Sequence, residues 1–211
     1  MDPPPGVLKE IRRLPSDRQE EQVIGRSDFG ADGLHPDGQY SRGSKWFHWL
    51  TLPPLGVLLL SGLTIRFIGD EAKMQFYTLH ESLGLLMFTL AAARLTWRLT
   101  HAAPPLPDTI PLTIRRGAGA VHVLLYTALI VQPVLGFFTT NALGFPQQGA
   151  TAFLGFIDLP KFMDAAPELA RTLHWIHSIV GWTLFPLIAA HVGGILYHHV
   201  VRRDGTLFRM I

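Results

Sequence analysis

Residues 171–202 read RTLHWIHSIVGWTLFPLIAAHVGGILYHHVVR, and this stretch decides the fold. Between Arg171 and Arg202 lie thirty residues without a formal charge. A helix needs roughly 20 apolar residues to cross the hydrocarbon of a bilayer, so the segment is long enough to span it. Working outward, Trp46 to Ile65 is another uncharged run, twenty residues long. After Arg115 and Arg116 no Asp, Glu, Lys or Arg appears before Asp158, which predicts a helix over 118–140 and then a loop through Gly144, Pro146 and Gly149. A further span over 74–99 is less clean, with His80 and Glu81 near its start and Arg94 and Arg98 near its end. Those arginines must snorkel to an interface for that helix to cross. Pro53, Pro54, Pro133 and Pro186 fall inside the spans, where membrane helices tolerate them as kinks.

Composition leads to the same class. Apolar residues make up 48% of the 211 and charged residues 16%, against about 25% charged in an average soluble domain. Fifteen of the 34 charged residues lie in the first 45, which leaves 19 for the 166 that follow. A soluble domain could not cover its surface with so few. The fold class is therefore an all-α integral membrane bundle, four helices up and down. Residues 1–44, opening with Pro3, Pro4 and Pro5 and running through a Gly-, Asp- and Ser-rich stretch, read as a polar, flexible cytoplasmic extension. Nothing in them makes the apolar core of a cleaved signal peptide. Residues 45–211 form the membrane domain.

Cysteine is absent. That excludes disulfides, thiolate zinc sites, cysteine-ligated iron–sulfur clusters and covalently attached c-type haem. A net charge of +2 gives no reason to expect nucleic acid as a partner; membrane lipid is the expected one. Orientation follows the Lys and Arg bias of the loops. Arg42, Lys45, Arg94, Arg98, Arg115, Arg116, Arg202, Arg203 and Arg209 fall on one side, and Arg66, Lys73, Lys161 and Arg171 on the other. Nine against four places both termini in the cytoplasm.

Ionisable residues inside a membrane are costly, and so are functional candidates. Fourteen residues separate His177 from His191; at 100° and 1.5 Å per residue they return to within about 40° of one face and about 21 Å apart. Two flat cofactors stacked one above the other need this spacing. Partners at matching depths exist on other helices, His80 for His177 on the outer side and His48 for His191 on the inner side. Gly84 and Gly181 each follow a histidine by four residues, where a large side chain would block a ring; Gly193 and Gly194 stand similarly to His191. Close helix packing is the plainer use of such glycines.

Several segments then carry a resemblance: Phe47-His48-Trp49-Leu50, Leu79-His80, Ala93-Arg94-Leu95 with Arg98-Leu99, His122 with Tyr126, Pro133 and Gly136, then His177, His191, His198-His199 and the tail 203–210. In this order and spacing the chain from about residue 41 resembles the bacterial cytochrome b-561 family, in particular its superoxide oxidase type. More loosely it is similar to the cytochrome b subunits of formate dehydrogenases and nickel–iron hydrogenases. The resemblance implies two b-type haems with bis-histidine ligation, the outer by His80 and His177, the inner by His48 and His191. It also implies electron transfer to the membrane quinone pool, with superoxide as donor and ubiquinone or another membrane quinone as acceptor.

His122 has no place on an iron that already has two histidines, so a haem propionate or a quinone is its expected contact. His198 and Arg94 are candidates for the same contacts, His198 against the plain reading of a wetted helix end and Arg94 because guanidinium suits carboxylates. No residue is expected to be catalytic in the acid–base sense, since superoxide oxidation releases O2 without proton transfer. One expectation runs the other way. The outer loops set four basic residues against Asp70, Glu71, Asp158, Asp164 and Glu168, a net −1, so their overall charge does not steer an anion inward. The rival readings are a cytochrome b subunit serving a dehydrogenase, a hydrogenase or a periplasmic cytochrome c, with a redox partner protein as donor, and a histidine-lined metal transporter. Against the transporter, the spans lack the carboxylates that cation pathways carry, Glu81 near one end being the sole candidate.

Overall fold

The computed structural model describes residues 38–101, 103–105, 109–145 and 152–211. Most of the N-terminal segment, with His35, and the loop residues Pro146 and Gly149 lie outside these. Four long helices dominate: α1 Arg42–Thr64, α2 Asp70–Thr100, α3 Leu112–Ala142 and α4 Pro167–Leu196. Two strands of two residues, β1 Ala152–Phe153 and β2 Ile157–Asp158, pair antiparallel between α3 and α4.

Each helix begins before the charge-free stretch that announced it. α1 begins at Arg42, three residues into the segment assigned to the extension, because the Ser41 hydroxyl accepts the Ser44 N–H at 3.3 Å and caps it. α3 starts after Pro111 and takes in Arg115 and Arg116. Charge marks where hydrocarbon ends, whereas a helix continues into the interface until a cap or a proline stops it. Pro53, Pro54, Pro133 and Pro186 all stay within helices. Hydroxyl side chains fold back onto their own helices, as in Thr78 to Met74 O and Thr139 to Leu135 O, which satisfies them in apolar surroundings.

α1, α3 and α4 are long and apolar enough to cross a membrane. α2 is as long as α3 but carries acidic and basic residues towards both ends. Large apolar side chains such as Leu60, Val123 and Trp182 point outward and are more than half exposed. In water that surface would aggregate; against lipid it is ordinary. The chain is an integral membrane protein.

The enclosed core is small. Met87, Ala91, Ala128, Leu129 and Leu184 are buried, with Leu55, Leu59, Val180 and Ile188 packed around them. These positions lie midway along α1 to α4, so an apolar layer separates the two ends of the bundle. At one end, called outer as the charge bias predicts, Ser61 of α1 meets His80 of α2, and Gln132 of α3 meets His177 of α4. At the inner end His48 of α1 meets Arg94 of α2 and lies beside His191 of α4.

Beyond α4 the chain makes a π-helical turn, Tyr197–Arg202, then bends through left-handed Arg203 (φ 51°) and Gly205 (φ 74°) into a short 3-10 turn, Thr206–Arg209. Asp204 ties this bend together by accepting from His198 Nδ1 at 2.6 Å, Arg202 Nε at 3.2 Å and Thr206 Oγ1 at 2.6 Å. The tail then clasps three other segments. Arg209 donates to Gly38 O and Pro105 O, Arg202 to Thr109 O, Lys45 to Ile211 O and Trp49 to Met210 O.

Candidate functional site

The histidines singled out by spacing meet in pairs. The ring centres of His80 and His177 are 6.4 Å apart, and those of His48 and His191 are 6.1 Å apart. An imidazole nitrogen sits about 2.0 Å from a metal it ligates and roughly 1.15 Å from its own ring centre, so two imidazoles on opposite sides of one ion are roughly 6.3 Å apart. Both pairs fit a single iron between them. Fourteen residues of α4 hold the pairs about 21 Å apart along that helix, with the apolar layer between.

The outer pair is prepared by its neighbours. Ser61 donates its own proton to Leu58 O, so its oxygen accepts from His80 Nδ1, 2.7 Å away. Gln132 O, a carbonyl, accepts from His177 Nδ1 at 3.1 Å. Both rings therefore carry their proton on Nδ1 and keep the Nε2 lone pair for a ligand, the arrangement in which second-shell partners orient metal-binding histidines. A cavity of about 910 Å³ opens beside the pair, lined by His80, His177, His174, Gly84, Gly181 and residues of all four helices. A Cβ on Gly84 would meet nothing within 4 Å, which suits a ring lying there. Gly181 differs from that expectation. Its Cβ would sit 3.0 Å from Gln132 Nε2, so this glycine makes room for a side chain of α3.

The inner pair has other company. Arg94 Nη2 lies 2.8 Å from His48 Nδ1, and a guanidinium only donates, so here Nδ1 accepts and the ring proton sits on Nε2. For His48 to ligate through Nε2, that proton has to move to Nδ1 and the guanidinium has to turn off the Nδ1 lone pair while staying nearby as a cation. Arg94 also lies 5.3 Å over the Tyr126 ring. His122 sits 5.2 Å from His191, ring centre to ring centre, closer than the ligating distance. His122, Arg94, Arg98, Tyr126, Tyr40 and Met210 line a cavity of about 60 Å³. His198 takes no part in it. It is 8% exposed and bound to Asp204, so it is a locked residue of the C-terminal bend and not a wetted helix end. Burial opposes the Asp204 charge, but hydrogen bonds from Thr206 and His198 outweigh it and hold the carboxyl well below the usual carboxylate range.

Charge at the outer cavity is local. Its lining includes Arg66 and Lys73, and Glu81 is the acid among its described residues. The acidic residues that make the loops net negative are not among its lining. Both Glu81 carboxylate oxygens are buried without a hydrogen-bond partner among the described residues.

Sequence reasoning passed over Ser61 and Gln132. Gln132 had a signal, being the sole carboxamide between Arg116 and Asn141 in an apolar helix. Ser61 had none, because a hydroxyl in a membrane helix usually bonds its own backbone.

This arrangement of paired histidines on membrane helices, two at each end of an apolar layer, is that of a membrane b-type cytochrome. The profile of the prokaryotic cytochrome b561 family matches residues 39–211, and the chain belongs to that family. It is 26% identical over 177 residues to cytochrome b561 homolog 1 of Escherichia coli K12, covering 82% of this chain and 97% of that one. It is 29% identical over 176 residues to cytochrome b561 homolog 2 of the same organism, covering 82% and 91%. It is 27% identical over 179 residues to the protein named probable superoxide oxidase CybB of Yersinia pestis, covering 82% and 96%. Family membership assigns the chain to membrane electron transfer with haem b.

Proposed function

We propose that the chain is a di-haem cytochrome b of the bacterial inner membrane that oxidises superoxide at its outer end and reduces ubiquinone, or another membrane quinone, at its inner end. The observation that carries the reading is the spacing of two histidine pairs, 6.4 and 6.1 Å, at opposite ends of one bundle. His80 and His177 hold one haem, and His48 and His191 the other. α2 crosses with the other three helices, up and down, leaving both termini in the cytoplasm. Residues 1–44 stand apart from this unit as a cytoplasmic extension.

Haem b supplies a one-electron iron couple at each position. The chain's residues supply the rest. Arg66 and Lys73 at the outer cavity raise the local concentration of an anion, which the loops' overall charge does not. Each superoxide gives up one electron and leaves as O2, so no side chain has to move a proton there. Two such electrons and two protons convert one quinone to quinol. At the inner end Arg94 and Arg98 suit propionates or a quinone oxygen, and His122 is placed to deliver a proton. His198 is held by Asp204 and is the weaker candidate for these contacts.

One observation favours a second reading, a cytochrome b subunit with a protein donor. Leu154 and Phe156, at the tip of the β1–β2 hairpin, are 60% and 74% exposed and suit a docking surface. Pyridine haemochrome assay of purified protein, followed by stopped-flow mixing with superoxide, separates the possibilities. Two haems per chain and rapid reduction by superoxide are expected. Two haems without that reduction assign the donor role to a partner protein, and a colourless protein overturns both readings.

A further inference from the structure

Gln132 reaches His177 twice. Its main-chain oxygen accepts from the ring Nδ1 at 3.1 Å, and its side-chain Nε2 donates to the main-chain oxygen of His177 at 2.9 Å. One bond fixes the backbone of residue 177 and the other fixes its ring, so the whole histidine is referenced to one residue of the neighbouring helix. Two glycines make the contact possible. A Cβ on Gly136 would lie 3.1 Å from His177 Cε1, and one on Gly181 would lie 3.0 Å from Gln132 Nε2. Pro133 follows directly, so the accepting carbonyl belongs to a tertiary amide. The remaining polar atom, Gln132 Oε1, is buried without a partner among the described residues, in a residue that lines the outer cavity.

We propose that Gln132 is a positioning residue that sets the reduction potential of the outer haem through His177, an inference that rests on His177 being an axial ligand. A hydrogen bond from Nδ1–H pushes electron density onto Nε2, which favours ferric over ferrous iron and lowers the potential. The inner pair has no such clamp: His48 Nδ1 faces a guanidinium instead. The outer couple therefore lies under the control of Gln132 on α3.

The test uses Gln132→Met, which keeps the length of the side chain, leaves the main-chain acceptor in place and removes the carboxamide that holds His177 against it, and Gly181→Ala, which displaces the carboxamide without altering it. Haem is counted first; two per chain in the unaltered protein is the condition set by the ligation reading, and its failure is a failure of that reading. Potentiometric titration then follows both haems, with the outer couple identified as the one missing from His80→Ala. The expected result is an upward shift of the outer couple alone in both variants, about tenfold in the equilibrium sharing one electron between the haems, or roughly 59 mV. The ferric electron-spin resonance of that haem changes with it. Unmoved potentials, or equal movement of both couples, with haem content intact overturn the proposal. If Gln132→Met loses the outer haem, the shift or its absence in Gly181→Ala decides.

Discussion

The two ends of the bundle hold their histidines at nearly the same separation but treat the rings differently. At the outer end both Nδ1 atoms donate, to Ser61 and to Gln132 O, and a large cavity opens alongside. At the inner end His48 Nδ1 accepts from Arg94, and a third histidine, His122, crowds His191. The difference teaches that the distance between paired histidines selects a cofactor, whereas the groups behind them tune it. Acceptors behind a ring favour ferric iron; a cation behind a ring favours ferrous iron. On the proposed ligation the outer haem is expected at the lower potential, which makes electron flow from the outer end to the inner end downhill.

The largest test breaks the pairs one at a time. His80→Ala or His177→Ala should halve the haem content, and His48→Ala or His191→Ala should halve it too, with a different couple surviving in the potentiometric titration. If all four leave the same couple, the pairing is wrong. His122→Ala should keep both haems and slow quinone reduction, because its ring is too close to His191 to lie on the opposite side of the same iron.

A second perturbation falls on the layer between the ends. Leu184 is 3% exposed, and Leu184→Ala should destabilise the bundle by roughly 2 to 4 kcal/mol, read by thermal unfolding in detergent. The gap between the two potentials should survive it.

Smaller and sharper are the neighbours of the rings. Ser61→Ala removes the acceptor behind His80 and should raise the outer potential by some tens of millivolts, the equivalent of about 1 kcal/mol for one hydrogen bond. Arg94→Gln removes a cation behind His48 and should lower the inner potential. Opposite signs at the two ends sharpen the comparison, and equal signs would break it.

The smallest effect is expected at the C-terminal bend. Asp204 has a depressed carboxyl, so its contribution to stability is present above the ordinary carboxylate range and declines as pH falls towards its folded value. Acidification below about pH 4 should therefore loosen the clasp. The fluorescence of Trp49, which donates to Met210 O, reports that, and Asp204→Asn should remove the pH dependence.

Much of the arrangement was legible beforehand, and the limits have physical causes. Charge-free runs revealed α1, α3 and α4 because hydrocarbon excludes charge; α2 was visible chiefly through what surrounds it. The four paired histidines followed from helical period and depth. Helix ends were not legible, since interfacial turns such as Leu112–Arg116 carry charge and remain helical. Ser61 was hidden because its contact lies 19 residues away on another helix, and His198 because its partner lies beyond a left-handed bend that composition does not announce.

The clasp at the inner end also has an order in time. Its donors and acceptors include Arg202, Arg209, Met210 and Ile211, the final stretch of the described chain to be synthesised, while Gly38, Pro105 and Thr109 wait from much earlier. Until that last stretch exists the inner end lacks these contacts. The clasp can close only once α4 and the tail behind it have been made, so the order of translation leaves the inner end open for longest.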